Sequence, residues 1–205
     1  MDEIERELCM STRGPYYRDD ISPYVRTSLR KLALPEPQWA LDLACGTGRH
    51  SLSLASLGYS VTCADISADY LLALQRRAPR AFGTRLHPVQ MDATKTLPFL
   101  DEAFGLVVIS DFWQPGLLRC VSRVMSENGI LIFHTYGGHG ENWRALPTVG
   151  QLESESRLVG EALHYRERPV GPRHQRRVAV KAVLRRRKSQ QSRRGHASGT
   201  PASTV

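Results

Sequence analysis

The chain has 205 residues, 41% of them hydrophobic, which is enough for one domain with a full core and too few for a second catalytic domain. No apolar run approaches the roughly 18 residues that a membrane-spanning helix needs, and the acidic, charged N-terminus is the opposite of a signal peptide. We therefore expect a cytoplasmic protein with no membrane partner.

The formal net charge of +8 is unevenly distributed. From Arg168 to the C-terminus there are eleven Lys and Arg residues and no Asp or Glu, which leaves 17 basic and 20 acidic residues in the rest of the chain. Such a basic segment can bind nucleic acid or acidic surfaces through non-specific electrostatics, although it is more often only a solvated end. Nucleic acid is expected as a partner only through the basic tail, residues 189–205.

The four cysteines, Cys9, Cys45, Cys63 and Cys120, are scattered and form no Cys-x-x-Cys pair. The sequence therefore indicates neither a disulfide framework nor a thiolate zinc site, and no metal is expected.

The first predicted helix begins at Pro23, with Ser22 as its N-cap, because proline suits the first helical position. Pro35 and Pro37 end it. One face of this helix carries Tyr24, Val25, Leu29 and Leu32.

The stretch from Trp39 to Asp65 has the pattern strand, glycine turn, helix, strand. An apolar run ending at Leu43 meets Gly46 and Gly48, and an amphipathic segment then leads into a second apolar run that ends at Asp65. The glycines allow a sharp turn and leave no Cβ between backbone and ligand, and the free N–H groups of the helix face the same place. Because the carboxylate at the strand tip can accept hydrogen bonds from both hydroxyls of a ribose, a nucleoside-containing cofactor is predicted.

Two features separate this turn from a dinucleotide fingerprint. Ser51 occupies the third glycine position, and an acid, Asp42, lies inside the strand before the turn. A buried carboxylate is costly unless it meets donors, and a sulfonium ligand with an α-amino group supplies positive charge there. Residues 41–48, Leu-Asp-Leu-Ala-Cys-Gly-Thr-Gly, resemble the first motif of the class I S-adenosylmethionine-dependent methyltransferases, although Ala44 stands where that family commonly has glycine.

The next helix is predicted to begin after Ser67, its N-cap, and to end before Pro79. A third strand is predicted from Arg85 to Gln90. Asp92 follows at once. In the family an acid at this place meets the exocyclic amine of adenine, so the resemblance implies that Asp92 is a further cofactor contact. A lone aspartate in a loop is otherwise a turn former.

Residues 104–110 predict an apolar fourth strand covered on both faces. The sequence that follows is Asp111-Phe112-Trp113-Gln114-Pro115, whereas methyltransferases that act on adenine or cytosine carry Asn/Asp-Pro-Pro-Tyr/Phe here. A Pro-Cys that could attack a pyrimidine is also missing, since Cys120 is placed in the next helix. Base methylation is therefore a minor alternative.

A helix over 117–125, a left-handed exit at residues 127–129 and a fifth strand over 130–133 lead into a loop rich in rings and glycines. The carboxyl end of a central strand is where an α/β sheet binds substrate. We expect His134 and Tyr136 in this loop, with Asp111, to line the acceptor pocket and act in catalysis. A surface loop whose rings pack on the sheet edge is the alternative.

A last helix over 151–160, with Leu152 and Leu158 facing inward, precedes two strands over 162–170 and 176–184. The resemblance implies an α/β fold with a Rossmann-like, doubly wound, seven-stranded sheet whose last strand is antiparallel. Residues 1–20 would then form an N-terminal segment over the cofactor site, 21–188 the methyltransferase domain, and 189–205 a disordered basic tail.

The resemblance also implies which residues hold S-adenosyl-L-methionine. They are Tyr17, Asp42, Ala44, Cys45, Gly46, Gly48, Asp65, Ile66, Asp92, Ala93 and Ser110. Residues 42–51 and the segment after them look most like the small bacterial tellurite-resistance and thiopurine-type group.

The predicted activity is methyl transfer to a small-molecule acceptor through oxygen, nitrogen, sulfur or a metalloid. In-line displacement at a sulfonium needs mainly positioning, and His134 has the pKa to remove a proton if the acceptor carries one. Two alternatives stay open. One is a non-catalytic binding protein that uses its basic tail on RNA or a protein; the other is an NAD(P)-binding oxidoreductase, against which the lack of a Tyr-x-x-x-Lys pair argues.

Overall fold

The computed structural model describes residues 21–34, 39–135 and 145–187. Tyr17, Tyr136, the predicted N-terminal segment and the predicted basic tail therefore lie outside the described residues.

The described residues form five α-helices and seven strands. The helices are α1 (Pro23–Lys31), α2 (Arg49–Ser56), α3 (Ala68–Arg77), α4 (Leu117–Val124) and α5 (Gln151–Val159). The strands are β1 (Trp39–Leu43), β2 (Ser60–Asp65), β3 (Leu86–Gln90), β4 (Phe104–Ser110), β5 (Met125–His134), β6 (Gly160–Val170) and β7 (Arg177–Arg186). None of these helices has the length and apolar character needed to cross a membrane.

The strands form one sheet in the order β3-β2-β1-β4-β5-β7-β6. Strands β1 to β5 pair in parallel, whereas β7 runs antiparallel to both β5 and β6. The predicted seven-stranded α/β sheet with an antiparallel last strand is confirmed. The strand order reverses between β1 and β4, whose carboxyl ends lie side by side with Leu43 opposite Ile109, and such a reversal creates a crevice at that edge of a sheet.

Helices cover both faces of the sheet, and β4 shows why that strand is apolar throughout. Leu106 and Val108 face the core that packs against α1, α2 and α3, whereas Val107 and Ile109 face the core that packs against α4 and α5. Because both faces are covered, every residue of the strand is buried.

Two local predictions were wrong. Leu158 does not face inward but is 53% exposed, because the buried side of α5 carries Leu152, Ser156 and Val159 at helical spacing. The left-handed exit after α4 is also absent, because the helix ends at Val124 and the chain is already extended in β5.

Asn128 has the left-handed conformation expected of residues 127–129, with φ of +60°, but it lies inside β5. The pairing of β5 with β4 shifts register there, between Phe104 and Leu106. A Cβ on Gly129 would lie 2.8 Å from the Ser126 carbonyl oxygen. The turn signal therefore marks an irregularity within a strand and not the end of a helix.

Part of the basic C-terminal segment belongs to the sheet. Seven of the eleven Lys and Arg residues counted from Arg168 lie in β6, β7 and their connection, and Arg187 directly follows β7. The sheet therefore carries more than half of these basic residues, and the predicted tail over 189–205 lies outside the described residues.

Candidate cofactor site

The turn between β1 and α2 contains two glycines that serve different purposes. Both have left-handed backbones, with φ of +56° at Gly46 and +82° at Gly48. A Cβ on Gly48 would lie 2.4 Å from Cδ1 of Leu74, whereas a Cβ on Gly46 would meet nothing within 4 Å. Gly48 therefore lets α3 pack against the turn, and Gly46 leaves open space above it.

Ala44 stands where the family commonly has glycine, and the turn still forms. Its φ is +57°, so the residue adopts the conformation that a glycine would take without strain. A left-handed alanine costs about 1–2 kcal/mol. The turn forms at this cost.

Asp65, at the tip of β2, is held by two backbone hydrogen bonds. The N–H of Gly46 donates to Oδ2 at 2.8 Å, and the N–H of Ser67 donates to Oδ1 at 2.9 Å. Each carboxylate oxygen can still accept a further bond. The acceptor pair predicted for a ribose is therefore pre-positioned.

Asp42 lies in β1 beneath the start of α2 and is almost completely buried. The hydroxyl of Ser51 donates to its Oδ2 at 2.6 Å. Burial raises the pKa of Asp42 to about 6, and the bond from Ser51 opposes that rise. Ser51, which occupies the third glycine position, thus holds the acid of the first motif, a role that the sequence reasoning did not assign.

A cavity of about 480 Å³ opens at the carboxyl ends of β1, β2 and β4. This volume suits a small-molecule ligand. Its described lining consists of Ala44, Cys45, Gly46, Thr47, Arg49, His50, Asp65, Tyr70, Ser110, Asp111 and Phe112. Five predicted cofactor residues therefore meet in one cavity: Ala44, Cys45, Gly46, Asp65 and Ser110.

The other described cofactor residues are placed differently. Asp42, Gly48, Ile66, Asp92 and Ala93 do not line this cavity, and Ile66 is largely exposed. Asp92 closes its own turn, accepting hydrogen bonds from the Thr94 N–H at 2.9 Å and hydroxyl at 2.6 Å, which lower the pKa of its carboxyl. It thus acts as the turn former that was the alternative, and its contact with adenine stays a prediction.

Arg49 is the main lining residue that the sequence reasoning missed. From the first position of α2 its Nη2 donates to Oδ2 of Asp111 at 2.5 Å and to the hydroxyl of Ser110 at 3.2 Å. Asp111 has a left-handed φ of +64°, which turns the chain at the end of β4. An arginine directly after the glycine turn was the only available signal.

His134 is the last residue of β5, and its carbonyl oxygen accepts a bond from the Asp111 N–H at 2.8 Å. Of the two described residues predicted to line the acceptor pocket, Asp111 lines the cavity and His134 does not. Its buried Nδ1 has no hydrogen-bond partner among the described residues. Burial lowers the pKa of this imidazole, and the nearby Asp111 carboxylate opposes that effect. His134 is therefore neutral at pH 7 and able to accept a proton.

Two other groups near the cavity are inactive as bases or nucleophiles. Burial lowers the pKa of His50 to about 3, and its Nε2 accepts a weak bond from the Ser22 N–H at 3.4 Å. Burial also raises the pKa of the Cys45 thiol, so it stays protonated.

The cavity fits an adenosyl ligand on its own geometry. Gly46 leaves space that a Cβ would fill, and Asp65 retains acceptor capacity at the cavity wall. The first turn of α2 supplies backbone N–H groups.

Comparison with known proteins agrees with this geometry. Residues 40–129 match the family model described as the methyltransferase domain. The structure is also similar to that of an S-adenosylmethionine-dependent methyltransferase from Methanosarcina mazei, with a TM-score of 0.61 and 20% identity, covering 83% of this chain and all of the other.

Two curated relatives are similar in sequence. YqeM of Bacillus subtilis, assigned to the methyltransferases, is 32% identical over 130 residues, 56% of this chain and 49% of YqeM. The demethylmenaquinone methyltransferase of Clavibacter sepedonicus is 46% identical over 70 residues, 34% of this chain and 27% of that protein. The chain thus spans about half or less of these relatives.

Residues 40–129 are thus similar in sequence to a methyltransferase domain, and the Methanosarcina mazei structure shares the fold. Membership of the tellurite-resistance and thiopurine-type group stays a prediction.

Proposed function

We propose that the whole chain transfers the methyl group of S-adenosylmethionine to a small-molecule acceptor by in-line displacement. The observation that carries the proposal is the Asp65 carboxylate, fixed by the Gly46 and Ser67 N–H groups at the wall of a cavity sized for a small ligand. When bound, the cofactor supplies a methyl group on a positively charged sulfur that leaves as a neutral thioether.

Residues in the first half of the domain would bind S-adenosylmethionine. Asp65 would accept the ribose hydroxyls, and the first turn of α2 with Gly46 would approach the ligand through its backbone. Asp42, with a pKa of about 6, is mostly ionised at pH 7 and places negative charge beneath the turn, where a cationic ligand benefits.

The acceptor side would be formed by the ends of β4 and β5. Arg49, Ser110 and Asp111 form one connected polar group at the cavity wall, which orients hydrogen-bonding atoms of an acceptor. The neutral His134 imidazole beside them would take the proton from an acceptor that must lose one. Positioning supplies most of the rate acceleration, because the leaving group is already good.

Calorimetric titration tests the proposal. The purified chain is titrated with S-adenosylmethionine, S-adenosylhomocysteine and NAD, beside the variants Asp65→Ala and Asp65→Asn. Asp69→Ala serves as the matched control, because Asp69 is an exposed acid in the first turn of α3 that does not line the cavity.

Micromolar binding of both adenosyl ligands, lost in Asp65→Ala and retained in Asp69→Ala, supports the proposal and leads to an acceptor screen. Binding of NAD alone would show an oxidoreductase. Binding of none of the three would leave the non-catalytic interpretation.

A further inference from the structure

A second cavity, of about 610 Å³, lies at the turn between β6 and β7. Its described lining is Val149, Arg168, Pro169, Val170, Gly171, Pro172, Arg173, Arg176 and Arg177. Four of these residues are arginines, and the described lining contains neither an acidic residue nor an aromatic ring. We call these four residues the arginine cluster.

The arginine cluster lies at the same edge of the sheet as the cofactor site. Strand β7 is antiparallel to β5, and Lys181 pairs with His134 at the carboxyl end of β5. Arg177 precedes Lys181 by four residues, so it lies about 13 Å beyond that end of β5 in the strand direction. The second cavity shares no described lining residue with the cofactor site.

The cavity wall is held by backbone contacts and not only by side chains. The N–H of Val149 donates to the Arg176 carbonyl at 2.8 Å, and the N–H of Val178 donates to the Pro147 carbonyl at 2.9 Å. Arg177 itself donates from Nη1 to the Leu146 carbonyl at 2.5 Å. The arginines are thus attached to a fixed frame, which lowers the entropy cost of binding a ligand.

Three of the four arginines carry a charge that no described carboxylate neutralises. Arg173, Arg176 and Arg177 form no ion pair with any residue that the structure describes, and Nε of Arg177 is buried without a hydrogen-bond partner among those residues. The nearest acid along β6, Glu167, instead accepts bonds from the Gly150 N–H at 3.2 Å and the Tyr165 hydroxyl at 2.7 Å.

Several guanidinium groups around one concave surface match phosphate oxygens, which they bind through paired N–H donors. The described lining offers no aromatic ring on which a base could stack, so recognition would rest on the phosphates. S-adenosylmethionine carries no phosphate group, so such a ligand would be a second one.

We propose that the arginine cluster binds the phosphate groups of an anionic ligand other than the cofactor. The phosphates can belong to a small phosphorylated molecule or to a nucleic-acid backbone, because the chemistry that the cluster recognises is the same.

The test uses the full chain, so that the basic C-terminus is present in every variant. Pyrophosphate binding is measured by calorimetry in phosphate-free buffer, and a labelled single-stranded RNA of about 20 nucleotides by fluorescence anisotropy. The site variant is Arg173→Ala/Arg176→Ala, which changes two exposed positions. The variant Arg173→Lys/Arg176→Lys keeps the positive charge but removes the paired N–H donors of the guanidinium groups. The control Arg30→Ala/Arg76→Ala removes two exposed arginines elsewhere.

The proposal expects pyrophosphate to bind, at least tenfold more weakly in the alanine site variant, with an intermediate loss in the lysine variant and none in the control. Tighter RNA binding with the same pattern of losses assigns the phosphates to nucleic acid. Equal binding by the site variant and the control, or no binding of either probe, overturns the proposal. Titration with S-adenosylmethionine separates this outcome from failure of the proposed function, because cofactor affinity should not change in the site variant.

Discussion

Replacing each glycine of the β1–α2 turn by alanine should separate folding from binding. Both Gly46 and Gly48 have positive φ, so an alanine at either position is strained by about 1–2 kcal/mol. At Gly48 the new methyl would also overlap Leu74, a fully buried side chain that has little freedom to move away. Such overpacking costs about 1–3 kcal/mol. Gly48→Ala should therefore lower the free energy of unfolding by about 2–5 kcal/mol.

Gly46→Ala should weaken cofactor binding more than it lowers stability. Its methyl meets no protein atom within 4 Å, so the loss of stability stops at the backbone strain. The methyl would instead occupy space at the cavity wall, where the cofactor is proposed to approach the backbone. We expect this variant to fold well and to bind S-adenosylmethionine at least tenfold more weakly.

Urea denaturation measures stability, and calorimetry measures cofactor affinity. Gly116→Ala is the control for strain alone, because Gly116 has φ of +81°, has no atom within 4 Å of its Cβ position and does not line the cavity. If Gly48→Ala were no less stable than this control, the packing argument would be refuted. If Gly46→Ala bound the cofactor as tightly as the control, the cavity would not be the cofactor site.

Three further predictions concern single side chains. Ala44→Gly should relieve the left-handed strain and raise the free energy of unfolding by up to about 1 kcal/mol, with a lower urea midpoint as the contrary result. Burial raises the pKa of Asp42 from its ordinary 3.8 to about 6, so its contribution to stability is largest at low pH and is lost as the pH rises toward 6 and above. Asp42→Asn should therefore gain up to about 3 kcal/mol relative to wild type between pH 4 and pH 7, and a pH-independent difference in urea titrations would contradict this. Once an acceptor that loses a proton is found, His134→Ala should lower the methyl-transfer rate by about 100-fold or more, and the wild-type rate should persist below pH 6.5 because burial lowers the pKa of this base. An unchanged rate and pH profile in His134→Ala would remove it from the mechanism.

Much of the fold could be predicted because it is encoded locally. The bounds of β4 follow from an apolar run that ends at a polar residue, and those of β1 from a mostly apolar run that ends at the glycine turn. Ser67 caps α3 by accepting a bond from the Tyr70 N–H, as its position predicts. The errors arose where two patterns compete locally. Residues 127–129 carry a turn signal that also suits an irregular strand, and only the pairing of β5 with β4 decides between them.

Some residues of the candidate site could also be predicted locally, whereas others could not. The glycine turn and Asp65 could be identified from one stretch of chain, because a βαβ unit brings its own ends together. The bond between Arg49 and Asp111 joins residues 62 apart in sequence, and it exists because β4 lies beside β1 in the sheet.

By itself the sequence determined the alternating strands and helices, the glycine turn and the acids that flank it, since hydrophobic periodicity and glycine placement act over a few residues. The tertiary structure decided which of these residues share a cavity: it placed Arg49 with Asp111, turned Asp92 toward its own loop, and gathered four arginines between β6 and β7. The physical reason is that strand order and packing depend on contacts between distant segments, which no local pattern specifies.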